Sequence, residues 1–241
     1  MVKVIKTEFK KLQGSSMLWI GLGSCFILPV MALAINLSNP SDFTWKQYVQ
    51  QNLWPQIILL WPCVFGVFGS YIFCRERLEN TYKNLLIIPV GRVQLVTAKM
   101  LVMLVSIMAM ALTTYILNLF GVIIGIPVTV TEFWSQLKVY ALAGFLMFIC
   151  ILPMLLASIF VKKGFLLSIC ISIVYALGSF LASWVPPLAA LLPIDVAWRI
   201  MDLQQFEMEY SFPMSVSIIS MIVITIISVI GIFYIFHKQE A

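Results

Sequence analysis

The sequence predicts an all-α, polytopic membrane protein with six transmembrane helices, both termini cytoplasmic, and an amino-terminal helix lying along the membrane surface. Three observations carry this prediction. The 241 residues are 62% hydrophobic and 10% charged, against about 25% charged in ordinary soluble domains. Six apolar stretches run from Met17 to Leu37, Leu53 to Phe73, Met100 to Ile126, Val139 to Val161, Phe165 to Trp184 and Met214 to Phe236. Each approaches or exceeds the ~20 residues that a helix rising ~1.5 Å per residue needs to cross ~30 Å of hydrocarbon. The basic residues between them are also unevenly shared. Lys3, Lys6, Lys10, Lys11, Arg75, Arg77, Lys83, Arg92, Lys99, Lys162, Lys163 and Lys238, twelve of the fifteen, fall on one side of the membrane, leaving Lys46, Lys138 and Arg199 on the other. With the acidic residues included, one face carries +8 and the other −3. Basic residues tend to stay in the cytoplasm during insertion, which places both termini there. The chain then reads as one transmembrane domain over residues 1–241.

At the amino terminus, residues 2–16 place Ile5, Phe9 and Leu12 at helical spacing among Lys3, Lys6, Lys10 and Lys11. Such a helix can sink its apolar edge toward acyl chains while its lysines meet anionic lipid headgroups. The alternative is a solvated basic tail. Ala32 to Ala34 has the small-x-small form of a signal-peptidase site, but the 21-residue apolar run containing it exceeds the roughly 7–15 residues of a signal core. It is read as a retained first span, with Trp19 as an interfacial anchor.

The segment from Cys74 to Lys99, between spans two and three, starts highly charged and becomes apolar. Arg75, Glu76, Arg77 and Glu79 mark exit from the membrane. Leu78, Tyr82, Leu85 and Leu86 recur at three- and four-residue spacing and predict a short amphipathic helix ended by Pro89. Arg92 marks re-entry. A helix held parallel to the membrane between two spans can transmit a push from a docked protein to both. An ordinary interfacial loop helix has the same pattern.

Between spans five and six, Val185 to Pro213 alternates apolar and acidic pieces broken by Pro186, Pro187 and Pro193. Leu188 to Leu192 and Ile194 to Met201 are apolar enough to dip back into the membrane or to lie on it, and irregular backbone is tolerated at membrane depth only when protein or water covers it. Asp195, Asp202, Glu207 and Glu209 can attract cationic peptides on the outer face, with Trp198 and Phe206 meeting their apolar side chains. A solvated acidic loop is the competing reading.

The six stretches contain no Asp, Glu, Lys, Arg or His, although membrane proteins that move ions by their own chemistry keep ionisable groups at depth. No P-loop pattern is present. The five cysteines show no paired metal spacing, and the single His237 has no catalytic or ligating companion in sequence. The basic balance lacks the aromatic interleaving of a nucleic-acid surface. An intramembrane protease would need catalytic polar groups that the spans lack. Asn118, Thr113 and Thr114 can bond across helices, Gly121 and Gly125 form a GxxxG pattern permitting close approach, and Pro29, Pro62 and Pro153 are candidate kinks.

The segment after span two resembles the cytoplasmic loop of ABC type-2 exporter permeases. The residues that carry the resemblance are Glu76, Glu79, Thr81, Leu85, Leu86, Pro89, Arg92 and Lys99, together with Glu8, Lys11 and Leu12 before Trp19. Asn80 stands where the family commonly has Gly. The resemblance implies a permease subunit, not an enzyme, that pairs with a second identical or related permease and with two copies of a separate ATPase, the site of ATP and Mg. Glu76, Glu79, Thr81, Tyr82, Leu85, Leu86, Pro89 and Arg92 would then form the ATPase-coupling loop. The single-chain layout further resembles lantibiotic-immunity and bacitracin-resistance permeases, which expel or extract membrane-active peptides. A non-transporting sensory or structural subunit that binds peptide or lipid is the alternative.

Overall fold

The structure is a computed structural model that describes residues 1–38, 44–78, 91–160, 165–201 and 211–238. These residues are helical apart from short connections, and no strand occurs among them. The helices are α1 (Val2–Gln13), α2 (Ser16–Ser38), α3 (Trp45–Pro55), α4 (Trp61–Leu78), α5 (Arg92–Asn118), α6 (Val130–Phe160), α7 (Phe165–Ala182), α8 (Pro186–Ala189), α9 (Pro193–Ile200) and α10 (Met214–Lys238). Six helical segments are long and apolar enough to cross a membrane: Ser16–Leu37, Trp45–Glu76, Arg92–Val122, Val130–Phe160, Phe165–Ala182 and Met214–Phe236. An even number of crossings leaves the chain ends on one face, called here the basic face from its charge.

Spans two and four form the interior of the bundle, with 67% and 61% of their most apolar stretches buried, against 22% for spans one, five and six. α6 is the central helix, packing against α4, α5, α7, α9 and α10. Its buried side follows the helical repeat through Tyr140, Ala143, Met147, Cys150, Ile151, Met154 and Leu155. The outer sides of α2, α7 and α10 display Ile20, Phe26, Leu166, Val174, Ile226 and Ile230. In a bilayer that apolar surface meets lipid or another transmembrane chain.

Spans two and four begin earlier than their apolar stretches, and capping explains each of these starts. Span two gains α3, whose Lys46, Gln47, Gln50, Gln51 and Asn52 hide it from an apolar count, yet Trp45, Tyr48, Val49 and Leu53 are buried. Thr44 and Gln47 form a capping box there. α6 begins with a second such exchange, since Thr129 N–H donates to Glu132 Oε2 at 2.9 Å and Glu132 N–H donates to Thr129 Oγ1 at 3.3 Å.

Between α3 and α4, residues Gln56–Leu60 form a π turn, in which the Trp61 N–H reaches the Gln56 carbonyl five residues back. Pro62 follows and has no N–H to give, so the irregular turn absorbs the missing donor. Among the candidate kinks, Pro29 and Pro153 lie inside α2 and α6. Of the GxxxG pair, Gly121 lies in the 3₁₀ turn Leu119–Ile124 and permits the close approach of α3, since a Cβ there would lie 2.8 Å from Tyr48 Cε1, whereas Gly125 ends the turn at φ 93 with no neighbour within 4 Å of its Cβ position. Gly125 occupies the left-handed region that costs other residues about 1–2 kcal/mol.

The amino-terminal segment is helical as expected, but its packed side differs from the apolar edge read in the sequence. Glu8 and Leu12 are buried, Ile5 is half-buried and Phe9 is exposed. α1 therefore docks on α5 through a surface that includes a carboxylate. Lys3, Lys6 and Lys10 remain exposed.

Candidate functional site

On the basic face, four charged side chains from three helices meet where α4 ends and α5 begins. Glu8 and Lys11 lie one turn apart on α1, Glu76 lies in the last turn of α4, and Lys99 lies two turns into α5. Lys99 is 1% exposed. Its Nζ donates to Glu76 Oε1 at 2.7 Å, to Glu76 Oε2 at 2.6 Å and to the Ile72 carbonyl at 2.6 Å, and lies 3.7 Å from Glu8 Oε2. Lys11 Nζ donates to Glu8 Oε1 at 2.6 Å and approaches Glu76 Oε1 at 3.5 Å. Arg75 Nη1 donates to the Lys11 carbonyl, and its guanidinium lies 5.8 Å from the centre of the Tyr71 ring.

Two ammonium groups and two carboxylates sum to zero, which is why the cluster tolerates burial that one unpaired charge would not. Burial works against the charge on Lys11, but its hydrogen bond to Glu8 and the charges of Glu8 and Glu76 outweigh it and raise its pKa above the ordinary lysine value. This cluster performs no bond chemistry. It joins α1 to both stems of the connecting segment, so the three ends move together or the ion pairs break.

Of the residues expected in the coupling loop, Glu76 and Arg92 are described, and they flank residues 79–90. Arg92 is exposed at the start of α5, whereas Glu76 is buried against Lys99. Glu76 therefore holds the end of α4 to the start of α5. Glu79, Thr81, Tyr82, Leu85, Leu86 and Pro89 lie outside the described residues. Lys99 and Glu8 entered the sequence reading as charges of one face and as matching positions of a family pattern. That they would meet had no local signal, since 23 residues separate Lys99 from Glu76.

On the opposite face, α8 and α9 form a re-entrant hairpin. Pro193 begins α9 and Pro186 begins α8, both at the first helical position where the missing N–H is harmless. The Cys150 thiol donates to the Pro193 carbonyl at 3.1 Å, and the Tyr175 hydroxyl donates to the Cys150 carbonyl at 2.7 Å. Cys150 is ten residues from the end of α6 and Tyr175 ten from the start of α7, each roughly 15 Å from the basic face by helical rise. The hairpin thus reaches about halfway through a ~30 Å hydrocarbon layer. From there α9 climbs back until Arg199 Nη1 donates to Ser217 Oγ at 2.8 Å and to the Phe212 carbonyl at 2.9 Å. The Ser220 hydroxyl holds the Leu191 carbonyl at 2.8 Å.

Asp195 and Trp198 lie on this helix, only 2% and 4% exposed. The expectation that they face peptides on the outer surface is corrected, because α9 packs against α6, α10 and the π turn. The membrane interior also holds an ionisable group after all, on a re-entrant helix instead of a span. Asp202, Phe206, Glu207 and Glu209 lie outside the described residues.

A third polar group sits in the half of the bundle toward the opposite face. Asn52 Nδ2 donates to Asn118 Oδ1 at 3.1 Å, and Asn118 Nδ2 donates to the Tyr140 hydroxyl at 2.7 Å, linking spans two, three and four. The hydroxyls of Thr113 and Thr114 bond back to Ala109 and Met110 of their own helix, and the Thr114 side chain also meets the Cys25 thiol of α2. Gln56 is fully buried, with neither amide atom partnered among the described residues.

A bundle of six helices long and apolar enough to cross a membrane has the span layout that the loop resemblance implied. The family model described as ABC-2 family transporter protein matches residues 4–179. The chain belongs to this ABC-2 transporter family. Over 165 residues it is 29% identical to the bacitracin transport permease protein BCRB of Bacillus licheniformis, an overlap covering 65% of this chain and 76% of that one. As an ABC-2 permease it is a multi-pass subunit of the cell membrane and a transport component rather than an enzyme, with ATP hydrolysis on a separate ATPase chain. The residues matched to the family include Glu8, Glu76 and Lys99, whereas α8, α9 and α10 follow the matched region.

Proposed function

We propose that this permease carries membrane-active peptide antibiotics, of the class that includes bacitracin, out of the cell or out of its membrane, and that the basic face is cytoplasmic. Two copies of an ATPase that binds ATP and Mg would dock on residues 79–90 of two permeases, identical or related. The observation that carries the coupling part is the buried Lys99–Glu76 pair, extended to Glu8 and Lys11. ATPase closure that displaces the loop would then move the ends of α4 and α5 together with α1. The exposed lysines of α1 would hold that helix on anionic headgroups. Charge asymmetry supports the orientation, and similarity to the bacitracin permease supports the substrate class.

The test is affinity purification of the tagged chain from its native membrane, followed by mass spectrometry and by bacitracin susceptibility of cells with and without it. Recovery of a P-loop ATPase, its loss in Leu85→Asp with membrane insertion intact, and lower susceptibility in expressing cells are the expected results. Recovery of the chain alone or with a sensor kinase, under conditions that preserve other transporter complexes, would overturn the reading in favour of a sensory subunit.

A further inference from the structure

We propose that Asp195 is a recognition point for an organic cation, the ammonium or guanidinium group of a transported amphiphile that enters from the face opposite the termini. This rests on the export reading above and names the chemistry of its ligand. When the cation arrives, the carboxyl releases its proton to water and the resulting carboxylate pairs with the ammonium, so charge balances and no other reactant is needed.

Asp195 Oδ2 is buried without a hydrogen-bond partner among the described residues. Among the described residues, the ionisable groups shown to interact with it are Cys150 on α6 and Tyr175 on α7, and neither can be a cation. On α9 itself, Arg199 is turned to Ser217 and Phe212. Lys138 of α6 is exposed and twelve residues from Cys150, roughly 18 Å along the helix. The described part of α10 has no charged side chain before Lys238 at its far end, and the π turn has none. Burial without a counter-charge favours the neutral acid. An ionisable group at this depth is costly and is retained for function.

A second orphan points to the same region. Gln56, with both amide atoms unpartnered among the described residues and no exposed surface, lies on the π turn that α9 packs against. π turns inside helices occur often at functional sites. Its amide oxygen and the Asp195 carboxyl are acceptors, the complement of an ammonium. The hairpin that carries Asp195 is pinned by a small set of side-chain bonds, from Cys150, Ser220 and Arg199. Exposed Trp184 and Leu188 at its rim give the apolar part of an amphiphile a surface.

The experiment uses the full chain in nanodiscs of neutral lipid, with dodecylammonium as the probe and dodecanol as its uncharged counterpart. Wild type is expected to prefer the cation by about tenfold or more, a difference of about 1.4 kcal/mol, to release protons on binding at acidic pH, and to bind more tightly as pH rises. Asp195→Asn loses the preference and Asp195→Glu retains it. Equal preference in folded Asp195→Asn, or binding to wild type at acidic pH without proton release, overturns the proposal. The proton measurement needs no variant and decides the matter if Asp195→Asn fails to fold. Recovery of the ATPase from the same cells is scored separately. Its absence sinks the export reading, while its presence beside an indifferent Asp195→Asn sinks only this inference.

Discussion

Lys99 is held by both carboxylate oxygens of Glu76, at 2.7 and 2.6 Å, across 23 residues of chain, so one buried ammonium ties the end of span two to the start of span three. Removing one partner leaves the other charge buried, a change that costs about 3–5 kcal/mol in such settings. Glu76→Gln and Lys99→Met should each lower stability on that scale, read from denaturant unfolding in detergent. Glu76→Leu with Lys99→Leu leaves Glu8 and Lys11 to neutralise each other, and apolar replacement of buried pairs is often neutral or stabilising. The double variant should therefore recover most of the loss while hydrolysing ATP with less transport per ATP. A double variant as unstable as either single one would show that the pair is not the unit that matters.

Lys11 gives the cluster a pH dependence whose sign is fixed. Its pKa is raised in the folded protein, so its contribution is fully present below the ordinary lysine value and disappears as pH rises through the higher folded value. Thermal unfolding followed on the alkaline side should show a loss that Lys11→Met abolishes, because that variant has no proton to lose there. An unchanged alkaline profile in Lys11→Met would exclude Lys11 as its source.

What the sequence made legible was whatever a window of some twenty residues can see. The six spans, the amphipathic α1 and the proline-broken hairpin all have local patterns. The contact of Lys99 with Glu8 has none, because it depends on α1 folding back onto α5 and burying a carboxylate on its packed side. Asp195 was visible as an acidic residue in an apolar segment, but its depth was not. An eight-residue helix that enters and leaves by one face gives the same hydropathy trace as a surface helix. Gln56 was hidden in the opposite way, as one neutral polar residue within an apolar span.

The end of span three separates backbone strain from steric conflict. Gly125→Ala places a side chain at φ 93 with nothing within 4 Å of the new Cβ, so its cost should be the conformational one, about 1–2 kcal/mol. Gly121→Ala places its Cβ 2.8 Å from Tyr48 Cε1 and 3.3 Å from Trp45 Cζ3, among rings that are themselves buried. It should be the more damaging of the two, and Tyr48→Leu should rescue it but not Gly125→Ala. Unfolding midpoints of the three single and two double variants settle the comparison.

The π turn sets the rotation of α3 relative to α4, and that rotation is what brings Asn52 to Asn118. An α-helix advances about 100° per residue, so deleting Leu59, which is 38% exposed, should let the turn revert to α geometry and swing Asn52 out of reach. The bond is 3.1 Å in the native bundle. Cysteines at positions 52 and 118, in a background lacking the five native cysteines, should form an oxidative cross-link in the full-length protein and none in the Leu59 deletion. Replacing the bond chemically is a weaker perturbation, since hydrogen bonds between membrane helices average only about 0.6 kcal/mol. Asn52→Leu should therefore fold and keep most of its transport, while the deletion loses transport through the altered register. Cross-linking that persists in the deletion would mean that α4 and not α3 absorbs the lost residue, and that the π turn does not fix the position of Asn52.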